Sequence, residues 1–340
     1  MLFRHLILAG LALVACRQLP LPAADGTPTT YVGSIERNSP ALDQLIAPGT
    51  KIQQLADGFN WSEGPVWVPS GQMLLFSDVP ENKIYKWSAK DGLSVWLEPS
   101  GYTGEGSYSK EPGSNGLLLD QNQDLLLAQH GDRRIARLNL RGKIRSSTFG
   151  TLAETWEGRR FNSPNDLIQA NDGSIYFTDP PYGLPGQADS DLREIPFQGV
   201  YLIDKTGEVR SVIDNLTRPN GIALSPDERT LYVAVSDPEE AIIYAYDRAT
   251  DGALTNRRVF FDGTALVGQE KGLPDGMVVD KRGHVYATGP GGVYVFDPSG
   301  RQLGLIRTER ATANVTIGNK GKRLYITADD VLLTVPLIHL

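Results

Sequence analysis

One short phrase recurs six times between residues 63 and 314, and each copy places a polar residue directly before an apolar run. The copies read "SEGPVWV", "SNGLLLD", "PNDLIQA", "PNGIALS", "PDGMVVD" and "ANVTIGN", and their polar residues are 52, 50, 55, 55 and 39 positions apart. Between them, short apolar runs alternate with turns rich in Gly, Asn, Asp and Pro, which is the pattern of short antiparallel strands. A period of about fifty residues with about four strands per repeat indicates a β-propeller blade.

The repeats therefore predict an all-β fold, a six-bladed β-propeller whose four-stranded blades surround a central channel. Because the last interval is the shortest, we expect the strand near "KIQQLAD" to complete the sixth blade and close the ring. The composition agrees, since 36 Gly and 22 Pro with little helical periodicity are typical of a turn-rich β protein. A short helical turn over Leu42 to Ile46 is expected before the propeller.

Six polar side chains are expected to converge at one mouth of the channel, because the first strand of each blade lines it: Glu63, Asn115, Asn165, Asn220, Asp275 and Asn314. All six offer oxygen, and none is His or Cys. Hard oxygen ligands favour Ca²⁺, although another divalent ion stays open. Two carboxylates, Glu63 and Asp275, would neutralise such an ion. The sequence therefore predicts a metal-binding channel.

Ordinary turn chemistry is the alternative for each phrase taken singly, since "NG" and "DG" before a strand are common turn residues. Six copies at blade spacing favour the ring instead. Glu63 is the most informative copy, because Glu is a poor turn residue and has no local role in "EGPVW".

Four longer motifs resemble the gluconolactonase family, whose propeller is shared by regucalcin and the diisopropyl fluorophosphatases. They are "WSEGPVWVPSGQMLLFSDVPENKIYKW", "FNSPNDLIQANDGSIYFTDPPYG", "RPNGIALSPDERTLYVA" and "LPDGMVVDKRGHVYATGPGGVYVF", and the resemblance covers about residues 50 to 340. It implies one catalytic Ca²⁺ in the channel, with Glu63, Asn220 and Asp275 as ligands and Asp275 as the general base. Asn165 matches a position that ligates the metal in some members and contacts substrate in others. Ser163 stands where the animal members carry a sugar-binding arginine, so their sugar recognition does not transfer.

The predicted function is a Ca²⁺-dependent lactonase or esterase that hydrolyses a small lactone. Catalysis is assigned to Asp275, and substrate contacts are assigned to Asn165, Asn115 and His130, which ends a strand near the same mouth. A structural role for His130 is the alternative. Two other functions stay open: a phosphotriesterase on the same site, and a non-catalytic ligand-binding propeller with a structural ion. The chain has no G-x-S-x-G motif, which disfavours a serine esterase.

The N-terminus, "MLFRHLILAGLALVAC", is read separately from the propeller. Its apolar run is too short to span a bilayer and is typical of a signal peptide. The run ends at Cys16, the only cysteine of the chain, and resembles a bacterial lipoprotein box. We therefore expect a lipoprotein-type signal peptide over 1–16, lipidation at Cys16, a flexible tether over 17–45 and the propeller over 46–340. Cleavage near "PAADG" with ordinary secretion is the alternative.

Charge and location restrict the expected partners. The formal net charge is −7 and no basic cluster is present, so nucleic acid is not an expected partner. The expected partner is a small lactone or ester, and membrane contact is expected only through the lipid anchor. From the predicted signal peptide we expect an exported protein that is periplasmic or anchored to the outer membrane of a bacterium. The oligomeric state is left open.

Overall fold

The computed structural model describes residues 29–141 and 148–338. The chain enters through β1 (Tyr31–Val32), β2 (Ser34–Arg37), a 3-10 helix (Pro40–Gln44) and β3 (Ile52–Asp57). Blade 1 then follows as β4 (Ser62–Val68), β5 (Met73–Asp78), β6 (Lys83–Ser88) and β7 (Gly92–Leu97). Blade 2 consists of β8 (Ser114–Leu119), β9 (Leu125–Gln129), β10 (Arg134–Leu138) and β11 (Gly150–Ala153).

A two-stranded hairpin, β12 (Thr155–Trp156) and β13 (Arg159–Arg160), precedes blade 3. Blade 3 consists of β14 (Leu167–Gln169), β15 (Ile175–Asp179), β16 (Gln198–Ile203) and β17 (Val209–Leu216). Blade 4 consists of β18 (Pro219–Leu224), β19 (Thr230–Val235), β20 (Ile242–Arg248) and β21 (Leu254–Asp262).

Blade 5 consists of β22 (Met277–Val279), β23 (Val285–Gly289), β24 (Gly292–Phe296) and β25 (Gln302–Arg307). Blade 6 consists of β26 (Thr312–Gly318), β27 (Arg323–Ala328) and β28 (Val331–Pro336), together with β3. Short 3-10 helices also lie in the connections, at Pro69–Gly71, Gln187–Asp189 and Thr264–Leu266.

The predicted six-bladed propeller is confirmed. Each blade is an antiparallel meander in which consecutive strands pair, and its first strand contacts the first strands of both neighbouring blades. The six inner strands, β4, β8, β14, β18, β22 and β26, therefore form a closed ring. Closure occurs as expected, since β3, which precedes blade 1 in the sequence, pairs with β28, the last strand of blade 6.

The core is divided among the spaces between adjacent blades. Six clusters of buried apolar side chains occur, and each joins two neighbouring sheets. Phe76 of blade 1, for example, lies in one cluster with Tyr325 and Leu332 of blade 6. Because both faces of a blade are buried, its middle strands are apolar runs without alternation.

The N-terminal boundary of the propeller differs from the prediction. Part of the expected tether, residues 31–45, belongs to the fold: β2 pairs with β25 and β1 pairs with β3, so blades 5 and 6 each gain a fifth strand. The helical turn expected over Leu42 to Ile46 lies at Pro40–Gln44, and Leu42 and Leu45 are buried. Strands of two and four residues are too short to show alternation in a Pro-rich sequence, which explains the error.

Cys16 and the predicted signal peptide lie outside the described residues. No helix in the described part of the chain is long and apolar enough to cross a membrane.

Candidate active site

A cavity of about 370 Å³ lies where the inner strands begin. Five of the six polar residues singled out by the repeats line it: Glu63, Asn115, Asn165, Asn220 and Asp275. Its remaining wall comes from loops at the same mouth, and includes Trp61, Glu111, Tyr182, Ser236 and Leu273. The predicted convergence is therefore observed for five of the six residues. Trp61 and Tyr182 wall the pocket.

Two buried aspartates hold the segments that lead into the pocket. Asp78, at the end of β5, accepts hydrogen bonds from the backbone N–H groups of Asn60 and Trp61, at 3.1 and 3.2 Å. Asp179, at the end of β15, accepts one from the N–H of Asn162 at 2.7 Å. Burial raises the pKa of Asp179 to about 7. Each aspartate therefore fixes the chain just before a pocket residue.

Hydrogen bonds from neighbouring residues hold one of the two carboxylate oxygens of Glu63. Its Oε2 accepts hydrogen bonds from the N–H of Gly64 at 2.9 Å and from Nδ2 of Asn314 at 3.3 Å. Asn314, the sixth residue of the predicted ring, does not line the pocket, because its Oδ1 accepts from the N–H of Val315 at 2.8 Å. Asn314 thus supports Glu63 from behind.

Asn220 presents its amide oxygen because its amide nitrogen is engaged. Ser236 donates its hydroxyl hydrogen to the carbonyl oxygen of Pro274. The same hydroxyl oxygen therefore accepts from Nδ2 of Asn220, at 2.9 Å. The amide of Asn220 is locked with Oδ1 as the group left for a ligand.

His130 orients the amide of Asn165 in the same way as Ser236 orients the amide of Asn220. Nε2 of His130 lies 3.4 Å from Nδ2 of Asn165, and Nδ1 lies 3.3 Å from the carbonyl oxygen of Glu111. Burial lowers the pKa of His130 to about 4, so the ring is neutral, with Nδ1–H donating and Nε2 accepting. His130 is fully buried and does not line the cavity. The predicted substrate contact of His130 is corrected accordingly: Asn165 lies between its ring and the pocket.

Three acceptor oxygens in this pocket are buried without a hydrogen-bond partner: Oδ1 of Asn115, of Asn165 and of Asp275. Buried acceptors of this kind are costly unless something binds them. An oxygen-binding cation fits this donor set of two carboxylates and several amide oxygens. No group of three or more His, Cys, Asp or Glu within residues 29–141 and 148–338 is placed to hold a metal, so the amides are needed to complete the coordination.

The electrostatics of the pocket suit the binding of a cation. Burial raises the pKa of Glu63 to about 8. Burial also raises the pKa of Asp275 well above its usual range, and the charges of Glu63, Asp166 and Glu111 add to the effect. Four acids around one buried site repel one another, and a divalent cation would lower all four pKa values together.

Sequence reasoning missed three of these groups: Glu111, Ser236 and Asp166. Asp166 lies behind the pocket, where Oδ1 accepts from the N–H of Leu167 at 2.9 Å and Oδ2 from the N–H of Ile222 at 3.3 Å. Burial raises its pKa to about 7. Asp166 occupies the position that is Gly in four of the six phrases, and this departure from the pattern was the available signal.

Ser163 stands at the position where the animal members of the family carry a sugar-binding arginine. It is buried, and its hydroxyl group donates to the carbonyl oxygen of Pro180 at 2.6 Å.

The family described as "SMP-30/Gluconolactonase/LRE-like region" matches residues 61–330. The chain belongs to this family. A gluconolactonase from Zymomonas mobilis is 40% identical to this family member over 309 residues, with 87% of this chain and 84% of that protein covered. A solved gluconolactonase from Xanthomonas campestris is 33% identical, covers 92% of this chain and 98% of its own, and superposes with a TM-score of 0.79.

A regucalcin from Agrobacterium tumefaciens, solved as a calcium-binding protein, is 17% identical. It covers 84% of this chain and 94% of its own with a TM-score of 0.63, and at that identity it shows the fold alone. The predicted family is confirmed. The predicted class, a lactone-hydrolysing enzyme, is supported by the gluconolactonase relatives.

Proposed function

We propose that this family member is a Ca²⁺-dependent lactonase acting on small sugar-derived lactones. The observation that carries the proposal is the set of unpartnered oxygens on Asn115, Asn165 and Asp275, buried in one pocket beside Glu63. The relatives add the substrate class, since they are named as a gluconolactonase from Zymomonas mobilis and a pentonolactonase from Haloferax volcanii.

Glu63, Asn165, Asn220 and Asp275 are the residues that would hold the ion. When bound, Ca²⁺ supplies a Lewis acid that polarises the lactone carbonyl and stabilises the developing negative charge. The protein contributes orientation, because Ser236 and His130 engage the amide nitrogens of Asn220 and Asn165. Both amides therefore offer oxygen without rearrangement.

Asp275 is the proposed general base. Its Oδ1 lies buried without a hydrogen-bond partner, so it is free to receive the proton that the attacking water loses. Asn115 has a similarly free Oδ1 and accepts a hydrogen bond from a substrate hydroxyl. Leu273 and Val267 form an apolar part of the wall, which limits access of bulk water to the reacting carbonyl.

The test is hydrolysis of glucono-, galactono- and γ-butyrolactone by the protein with Ca²⁺ and with EGTA. We expect hydrolysis only with a divalent ion, and a loss on the order of 10²-fold or more in Asp275→Ala. Asp191→Asn is the matched control, because Asp191 is exposed and lies away from the cavity. Calcium-independent hydrolysis, or an active Asp275→Ala, would refute the proposal. Ca²⁺ binding without lactone hydrolysis would favour the phosphotriesterase or ligand-binding alternatives.

We also propose export through the N-terminus, with Cys16 as the lipidated residue. The support is the sequence alone: a short apolar run followed directly by the only cysteine of the chain. Expression in a bacterial host with a labelled fatty acid tests it. Label in the full chain and none in Cys16→Ser is expected, and an unlabelled full chain in the soluble fraction contradicts the anchor.

A further inference from the structure

Glu111 is the one acid that lines the cavity without belonging to a repeat phrase, as far as the described residues go. It lies in the long connection between β7 and β8, whose sequence "SGYTGEGSYSKEPG" (100–113) forms no strand. The inner strands supply Glu63 and Asp275, whereas Glu111 enters the pocket from a loop at its mouth. A carboxyl group in that position faces whatever occupies the cavity above the ring.

The backbone around Glu111 is held firmly. Its carbonyl oxygen lies 3.3 Å from Nδ1 of His130, and the next carbonyl, of Pro112, accepts from the N–H of Gly131 at 3.2 Å. Gly113 donates its N–H to the carbonyl of Val79 at 2.9 Å. These hydrogen bonds therefore fix the backbone of Glu111 beside the pocket.

The carboxyl group itself is left unconstrained by these bonds. Among the described residues, the one cationic candidate within 4 Å is Nδ1 of His130, which lies 3.8 Å from Oε2 and is too far for a hydrogen bond. His130 is neutral, because burial lowers its pKa to about 4. Glu111 thus has no salt bridge from His130 that would keep it ionised.

We propose that Glu111 is a second catalytic residue, the general acid that protonates the ring oxygen of the lactone as it leaves. This inference rests on the proposed lactonase function. Lactone opening breaks the bond between the carbonyl carbon and the ring oxygen, and an unassisted alkoxide is a poor leaving group. A carboxylic acid at the pocket wall supplies the proton that this step needs.

The protons balance over one cycle. Water attacks the carbonyl carbon and its proton goes to Asp275, and the ring C–O bond then breaks while the Glu111 proton passes to the departing oxygen. The product is the open hydroxy acid, formed from lactone and one water. The proton held by Asp275 returns through solvent to Glu111 as the hydroxy acid leaves, and the acid then gives its own proton to solvent, so no further reactant is consumed.

The surroundings of Glu111 suit an acid. Burial raises its pKa to about 7, so a large share of the side chain carries a proton near neutral pH. The charge of Glu111 is among those that raise the pKa values of Glu63 and Asp275, which places it near both. Acid and base thus stand on different walls of one cavity, as acid–base catalysis of ring opening requires.

The decisive experiment varies the leaving group. Glu111→Gln keeps the shape of the side chain and removes the transferable proton, and Glu105→Gln, an exposed glutamate of the same loop, is the matched control. Each protein is assayed on δ-valerolactone, whose ring oxygen leaves as an alkyl alcohol, and on dihydrocoumarin, whose ring oxygen leaves as a phenol. A phenol has a pKa of about 10 and needs little protonation to leave. Ca²⁺ affinity is measured by calorimetry for all three proteins.

We expect Glu111→Gln to lower kcat for δ-valerolactone on the order of 10²-fold and for dihydrocoumarin only a few-fold, with Ca²⁺ affinity unchanged. Glu105→Gln is expected to match the wild type. An equal loss on both lactones, or a large loss of Ca²⁺ affinity, would overturn the inference and make Glu111 a structural residue or a metal ligand. A wild type that hydrolyses neither these lactones nor glucono-, galactono- and γ-butyrolactone would overturn the proposed function, and this inference with it. If the wild type hydrolyses only the sugar lactones, whose ring oxygens also leave as alkyl alcohols, an unchanged kcat of Glu111→Gln on gluconolactone would overturn the inference alone.

Discussion

At the scale of single residues, the hydrogen bonds of each asparagine determine whether its amide oxygen or its amide nitrogen faces the pocket. An asparagine side chain offers either an acceptor or a donor, and the partner of its nitrogen determines which. Ser236 takes the nitrogen of Asn220, and His130 takes that of Asn165. Loss of such a supporting contact commonly lowers metal affinity about 10- to 100-fold. Residues that are not themselves proposed ligands therefore orient the oxygens of the pocket for the proposed cation.

The metal-free protein should lose stability as the pH rises. Burial raises the pKa of Glu63 from 4.5 to about 8 in the folded state, so between these values the folded protein binds more protons than the unfolded chain. The free energy of unfolding then falls with rising pH across that window. Urea unfolding in EGTA at about pH 5.5 and about pH 7.5 should show the titration of Glu63 as a decrease of about 2–3 kcal/mol at the higher pH.

Glu63→Gln is the control for this prediction, because it removes the titrating group while keeping the side chain's shape. Its unfolding free energy should vary less across the same window. Excess Ca²⁺ should also reduce the slope in the wild type, since ligation requires ionised carboxylates. Stability that rises with pH in EGTA would show that the acids are ionised and compensated in the metal-free protein.

At the scale of single residues, the sequence repeats predicted the polar residues of the pocket, but no sequence pattern predicted the residues that orient them. Glu63, Asn165, Asn220 and Asp275 each begin an apolar strand at blade spacing, so a sequence pattern marks them. Ser236 meets Asn220 only because two strands pair, and His130 reaches Asn165 from another blade. No local sequence pattern predicts a contact between residues on different blades. For this reason His130 was predicted to contact the substrate and not Asn165.

At the scale of the element, the glycine after the polar residue sets how closely the inner strands approach. A Cβ built on Gly221 would lie 2.0 Å from the carbonyl oxygen of Asp275 on the next blade. A Cβ on Gly64 would lie equally close, at 2.0 Å, to the carbonyl oxygen of Asn115. The glycines of the "EG" and "NG" phrases are therefore needed for contact between blades, in addition to any turn propensity.

Gly221→Ala should accordingly damage both stability and activity. The methyl group would push β18 away from the backbone of Asp275, at a cost of about 1–3 kcal/mol or more. Thermal unfolding and kcat for gluconolactone measure the two effects. Gly150→Ala is the matched control, because the one described atom within 4 Å of a Cβ built there is the carbonyl oxygen of Arg137, at 3.9 Å. A Gly221→Ala protein with wild-type melting and kcat would mean that the ring tolerates a wider spacing.

The strand pattern itself was predictable because each blade buries both faces. The middle strands are continuous apolar runs, and the turns between them carry Asp and Gly, so the elements and their number could be read from the sequence. Loops at the mouth of the channel have no such periodicity. Glu111 lies in one of them, and only the fold brings it beside Glu63 and Asp275.

On the scale of the whole molecule, the N-terminal segment joins the two blades at the closure of the ring. β3 supplies the outer strand of blade 6, while β1 extends that sheet and β2 extends blade 5. Arg37 ties the segment together, because its guanidinium donates to Asp43 and to the carbonyl oxygens of Ile46 and Ala47. The first and last parts of the chain thus stabilise each other across blades 5 and 6.

Truncation tests this role, and it separates the observed boundary from the predicted one. A protein lacking residues 1–28 keeps every described strand, whereas a protein lacking 1–45 loses β1, β2, Leu42 and Leu45. Leu42 and Leu45 are 0% and 1% exposed, and losing two such leucines costs on the order of 5 kcal/mol. We therefore expect the shorter protein to melt several degrees lower and the longer one to match the full chain.

Leu42→Ala in the longer protein supplies the control for this truncation. It keeps the segment and removes one buried side chain, so it should account for about 2–5 kcal/mol of the difference. Equal melting of both truncations would mean that β2 and the 3-10 helix add nothing to closure. If the shorter protein melts lower and also binds Ca²⁺ more weakly, the N-terminal segment supports the site as well. The reason would be that β2 covers the outer edge of blade 5, and Asp275 directly precedes the inner strand of the same blade. Loosening blade 5 would then displace Asp275, a proposed metal ligand.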